Sequence, residues 1–151
     1  MHMTDLHPDL AGMTGLELLR FSTGLPESPE TIGRLLGMHF TLLEEGHVEM
    51  ELVTRPDFSN PLGSVHGGIC ATLLDSVMGC AVHSTLGAGV GYTTLELKVN
   101  YIRTVPVTGE TLRAVGKTIH IGGRTATAEG RVLDGSGKLV AHGSTTCMVF
   151  R

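Results

Sequence analysis

His66-Gly67-Gly68, followed after six residues by Asp75, are the residues whose types and spacing could carry out a reaction. The two glycines stand where a polar loop runs into an apolar stretch, Ile69 to about Ser84, that reads as a helix. Backbone N–H groups at a helix N-terminus lack intrahelical acceptors and carry positive partial charge. A glycine there lets a ligand approach the main chain closely. Such an N–H, aimed at a carbonyl whose oxygen gains charge in the transition state, is an oxyanion hole. The plain alternative is a turn that needs glycine for positive φ. Asp75 stands halfway along a helix that is apolar nearly all round, where an unpaired charge is expensive to bury. It is expected at a chain end, in a partner's cleft or in catalysis, the alternative being a hydrogen-bonded structural acid.

Gly67 and Asp75 are eight residues apart, or about 12 Å along a helix. One scissile carbonyl cannot touch both from a single helix, because each contact must be about 3 Å. If both serve one reaction, they come from different copies of the chain. That predicts a two-fold dimer with its sites astride the interface.

The elements that must position these residues follow from period and punctuation. Thr14-Gly15-Leu16-Glu17 has the form of a capping box and opens a short amphipathic helix, with residues 1–11 before it expected to fray. The chain breaks at Pro26 to Pro29, and a second short helix runs from Pro29 to Leu36. Phe40–Glu44 and Val48–Val53 flank Glu45-Gly46-His47 as a hairpin. After the loop from Asn60 to Gly68 and the apolar helix, the rest is strand. Thr93, Leu95, Leu97, Val99 and Tyr101 alternate with polar residues, and strands follow over Leu112–Ile119, Arg124–Leu133 and Lys138–Phe150. Two strands, one long helix and four strands make an α+β fold, an antiparallel sheet of about six strands wrapped around the central helix. Residues 1–151 are expected to be one domain, with 1–37 a helical extension within it.

Composition narrows the function. The chain has 151 residues, 41% hydrophobic and 17% charged, which is globular and not disordered. A net charge of −4 without a basic cluster argues against nucleic acid. The apolar run is too short, and too interrupted by Asp75, for a membrane span, and the first residues do not read as a signal peptide. Cys70 and Cys80 stand roughly 15 Å apart on one helix, beyond disulfide reach, and free thiols suit a reducing cytoplasm. Cys70 as a nucleophile has no base beside it. Eight histidines are scattered without ligand spacing, so no metal is expected.

Asn60-x5-His66-Gly67-Gly68-x6-Asp75 followed by an alternating strand resembles the hotdog-fold acyl-CoA thioesterases. Within them it is similar to the PaaI-like branch, named for phenylacetate degradation, over roughly residues 33–150. The resemblance implies a thioester hydrolase that uses water and no metal or organic cofactor, with coenzyme A as part of the substrate. It also implies a homodimer paired into a homotetramer. Gly67 N–H would polarise the thioester carbonyl. Asp75 of the other protomer would act as general base on water or attack directly. Asn60 would hold the water or the carboxylate. His66 would orient the loop and the thioester, or serve only to stabilise the loop.

A hydroxyl residue early in the strand after the helix matches Thr94. Strict alternation puts Thr94 on the face opposite Leu95 and Leu97, which should cover the helix. A bulge could re-aim it, or Thr93 could serve instead. Coenzyme A contacts would come from Gly68, from Tyr101 and Arg103 at the strand's end, and from Gly122, Gly123, Arg124 and Thr125. Arginines can pair with phosphates, and the Gly-Gly turn can present main-chain N–H groups. The alternative is a pair of surface arginines beside a tight turn. The acyl pocket is expected among Ile69, Leu73, Met78 and Val82, for a medium acyl chain or an aromatic ring. Two other functions fit the same architecture: a module that binds acyl-CoA without cleaving it, and a hydratase or dehydratase.

Overall fold

The alternating segments form six strands, which the computed structural model joins in one antiparallel sheet; it describes residues 8–27 and 30–151. In chain order come helices α1 (Gly15–Thr23) and α2 (Ile32–Leu36), then strands β1 (His39–Glu44) and β2 (His47–Val53). The long helix α3 (Gly67–His83) follows, and then β3 (Gly91–Tyr101), β4 (Thr111–Ile121), β5 (Thr125–Leu133) and β6 (Leu139–Phe150). The sheet order is β1-β2-β4-β5-β6-β3, so β1 and β3 are its edges.

The capping box forms as written: the Glu17 N–H donates to Thr14 Oγ1, and the Thr14 N–H donates to the Glu17 carboxylate at 2.7 Å. Three expectations need correction. Residues 8–12 are not frayed but make a 3-10 turn that buries Leu10, while residues 1–7 lie outside the described residues. The second helix begins only at Ile32, capped by Thr31, and Pro29 also lies outside the described residues. The long helix starts two residues earlier than its apolar pattern, at Gly67, because His66 caps it.

α3 packs against β2, β3, β4, β5 and β6, with Leu73, Leu74, Val77, Met78, Ala81 and Val82 fully buried. Two glycines of one row let it come so close, Gly116 and Gly130, while the third, Gly143, makes room for the Lys98 carbonyl of β3. Gly116 on β4 pairs with Gly130 on β5, which pairs with Gly143 on β6. A Cβ on Gly116 would strike the backbone of Val77, and one on Gly130 would lie 3.0 Å from the Met78 side chain. This row is the trough in which the helix lies. The opposite side of α3 is not apolar: Gly68 and Asp75 are exposed there, and Thr72, Ser76 and Cys80 are half-buried. The reading of α3 as a helix with no wet face is therefore corrected. Its fully apolar look came from small residues such as Gly and Ala on the open side.

Candidate active site

The start of α3 is held on every side but one. His66 N–H donates to the Phe58 carbonyl at 2.8 Å, and the His66 carbonyl accepts from Ile69 N–H at 3.0 Å. His66 Nδ1 accepts the Gly68 N–H at 2.9 Å. That bond assigns the ring proton to Nε2, which is left free to donate. Gly68 N–H is thus taken up by the cap, while Gly68 itself is exposed. The amide left over at this helix end, among the described residues, is Gly67 N–H.

Glycine is needed at 67 for close approach and not for positive φ, since neither Gly67 nor Gly68 has one. A Cβ on Gly67 would lie 3.0 Å from the Tyr101 ring. The Tyr101 hydroxyl donates to the Gly67 carbonyl at 2.8 Å. Tyr101, expected to contact coenzyme A, braces the helix start and remains 55% exposed. No local signal could have shown this contact, which joins residues 34 apart in the chain.

Asn60 is also more committed than its type suggests. Its Oδ1 accepts the N–H groups of Leu62 at 2.9 Å and Ser64 at 3.2 Å, and its Nδ2 donates to Ser64 Oγ at 3.1 Å. This closes the loop on itself. One Nδ2 proton remains for a ligand.

Asp75 lies two turns along α3, exposed in the chain and not in a sealed core. Thr94 Oγ1 donates to Asp75 Oδ1 at 2.8 Å. Strict alternation would have turned Thr94 away. The register shift between Thr94 and Glu96 on β3 makes Leu95 the extra residue of a bulge, so Thr94 shares the helix-facing side with Leu97 and Val99. Thr93 faces outward, and Leu95 is 54% exposed. Around the carboxylate, burial and the Asp75 charge push the Cys80 thiol up to about 12, and burial foremost pushes the Tyr92 hydroxyl up as well. Burial holds the Cys70 thiol at about 11. Neither cysteine is a thiolate at neutral pH.

The residues assigned to coenzyme A divide between the two ends of β3. Tyr101, next to Gly67, begins the segment that carries Arg103. Thr125 pairs with Met148, which pairs with Thr93, so Arg124 and Thr125 belong to the Asp75 end. The two groups stand about 20 Å apart along the strand. The Gly122-Gly123 turn offers less than expected. Gly122 N–H donates to the Thr125 carbonyl at 2.8 Å, and Arg151, which the sequence gave no reason to single out, donates to the Gly123 carbonyl at 2.9 Å. Arg103, Arg124 and Thr125 are exposed. Of the residues expected to line the acyl pocket, Leu73, Met78 and Val82 are core residues with no exposed surface, and Ile69 is half-buried.

The thioesterase superfamily profile matches residues 62–141. No match is found among curated proteins. Among solved structures, a putative thioesterase of Ralstonia eutropha, described as phenylacetic acid degradation-related, is 29% identical with a TM-score of 0.77, covering 90% of this chain and 99% of its own. A Streptococcus mutans protein solved bound to acetyl CoA is 28% identical, with a TM-score of 0.69 over 75% of this chain and 88% of its own. The PaaI protein of E. coli, 20% identical, shares the fold with a TM-score of 0.75 over 82% of this chain and 86% of its own. The chain belongs to the thioesterase superfamily and has its hotdog fold. Within that class it is PaaI-like.

Proposed function

We propose that the protein hydrolyses acyl-CoA thioesters at sites shared between two copies of the chain. The observation that carries this is the pairing of a Thr94-held Asp75 with an unoccupied Gly67 N–H two turns away on the same helix. The two are too far apart to meet one carbonyl in one chain. β3 is an 11-residue edge strand, and its unpaired side is a template for a second strand. Antiparallel pairing of two β3 edges about a two-fold would set one copy's Asp75 end beside the other's Gly67 end. The same operation would unite the split arginine groups over one coenzyme A. The acetyl CoA bound to the S. mutans protein supports a CoA ester as substrate. Pairing of such dimers into a tetramer, and action in the cytoplasm where three free cysteines stay reduced, belong to the same reading.

In the proposed reaction, Gly67 N–H of one copy, backed by the helix N-terminus, holds the thioester oxygen as it gains charge. Asp75 of the other copy takes a proton from water, whose oxygen attacks the carbonyl carbon. The C–S bond then breaks, and the thiolate of coenzyme A leaves with a proton returned from Asp75. Direct attack by the carboxylate, through an anhydride that water opens, leads to the same products. His66 Nε2–H and the spare Asn60 N–H are the donors that would orient the thioester. Free-thiol release from a panel of aryl- and fatty-acyl-CoAs tests the proposal. Asp75→Asn should lower kcat by about 10³-fold with an unchanged circular dichroism spectrum. Retained turnover in that variant would refute the role of Asp75. Binding without thiol release by the wild type would favour the non-catalytic module.

A further inference from the structure

With Leu73, Met78 and Val82 in the core, the acyl group needs another place. A cavity of about 530 Å³ opens between α3 and the N-terminal segment. Ser76 and Cys80, one and five residues past Asp75, form its α3 side, and Leu19, Leu25, Met38 and Phe40 line it opposite. Its size suits a small-molecule site. A second cavity, of about 580 Å³, includes Lys117, Glu129, Arg131 and His142 in its lining. These side chains alternate with the helix-facing Gly116 and Gly130, so that cavity lies across the sheet from Asp75 and is charged. Of the two, the first is the one on the α3 side of the sheet, beside Ser76 and Cys80.

We propose that the described lining residues of α1, α2 and β1 are the gauge of this chamber, closing it opposite α3 and setting the longest acyl group admitted. The inference rests on the thioesterase reading of Asp75. Residues 19–40 of the lining lie outside the matched residues 62–141, so the reacting groups and the gauge come from different parts of the chain.

Helices α1 and α2 are fastened on both sides, as a gauge must be. Gly15 packs onto the backbone of His83 at the end of α3, and its N–H donates to the Leu86 carbonyl at 2.9 Å. Arg20 donates to the Leu43 carbonyl of β1 at 3.0 Å, and Arg55 to the Leu35 carbonyl of α2 at 2.8 Å. Arg34 and His39 also belong to the lining, and the rest of its polar groups are committed or neutral. Ser22 and Thr23 spend their hydroxyl protons on the carbonyls of Leu19 and Arg20, each at 2.7 Å, and the Cys80 thiol stays neutral.

The test is the chain-length profile of kcat/KM on straight-chain acyl-CoAs from two carbons upward. Leu19→Trp should lower kcat/KM on the longest chain that the wild type accepts by about tenfold or more, leaving the shortest esters within about twofold. Leu19→Ala should move the optimum to longer chains. A profile that keeps its shape in both folded variants, or falls equally at all lengths, overturns the gauge. Should the wild type release no thiol from any ester, the hydrolytic reading fails by itself. The same length shifts, read from binding of the esters by calorimetry, then support or overturn the gauge.

Discussion

Among the described residues Asp75 accepts one hydrogen bond, from Thr94, which holds Oδ1 and leaves Oδ2 for a ligand. Thr94→Val keeps the shape and removes the O–H. Since a hydrogen bond to a charged group contributes about 1.5–3 kcal/mol, kcat on the best ester should fall by about tenfold to a hundredfold, with Thr93→Val near wild type as the control. Steady-state kinetics on both variants decides it. The buried thiols make a separate prediction about stability. Folding raises Cys70 to about 11 and Cys80 to about 12, so the unfolded chain loses these protons first. The stabilisation is fully present below the unfolded thiol value, about 8.5, and is lost as pH rises through the folded values. Urea midpoints should hold steady from pH 7 to 8 and decline above about pH 9, with a smaller decline in Cys70→Ala/Cys80→Ala.

At the scale of elements, the site depends on how α3 sits in its trough and on how β3 passes beside it. Gly116 and Gly130 set the helix-to-sheet distance, so Gly116→Ala forces the Val77 backbone outward. That change should destabilise the fold by about 3 kcal/mol, as overpacking does, and thermal melting would show it. Much of this layer was legible in the sequence: the strands by alternation, α1 by its capping box, α3 by its apolar run. The bulge at Leu95 was not, because a one-residue insertion leaves composition unchanged and shows only in the register with β6. It decides which threonine meets Asp75. The position of the acyl chamber was equally hidden. Leu73, Met78 and Val82 are apolar enough for a pocket wall, and only the packing of the sheet shows that they face it.

For the whole molecule, the proposed shared site predicts complementation. Gly67→Pro removes the N–H at the first helical position, where the proline φ is helical; its ring crowds Tyr101, so circular dichroism must show the variant folded. His66 before it already has an extended ψ of 136°, as a residue preceding proline requires. Gly67→Pro and Asp75→Asn should each be nearly inactive. In a mixed dimer one of the two sites has both groups intact, so random reassociation should return about a quarter of wild-type activity. Sites contained within single chains would return none.

Local order alone determined the succession of elements and the neighbourhood of glycine amide and acid, because strand period, helix caps and motif spacing are short-range properties. Only the tertiary structure decided what each group is left to do. The folded helix cap and the 122–125 turn take up the Gly68 and Gly122 amides, while hydrogen bonds between residues distant in sequence brace Gly67 through Tyr101 and aim Thr94 at Asp75. A side chain's type records which bonds it can make, whereas its availability depends on which partners the fold has already supplied.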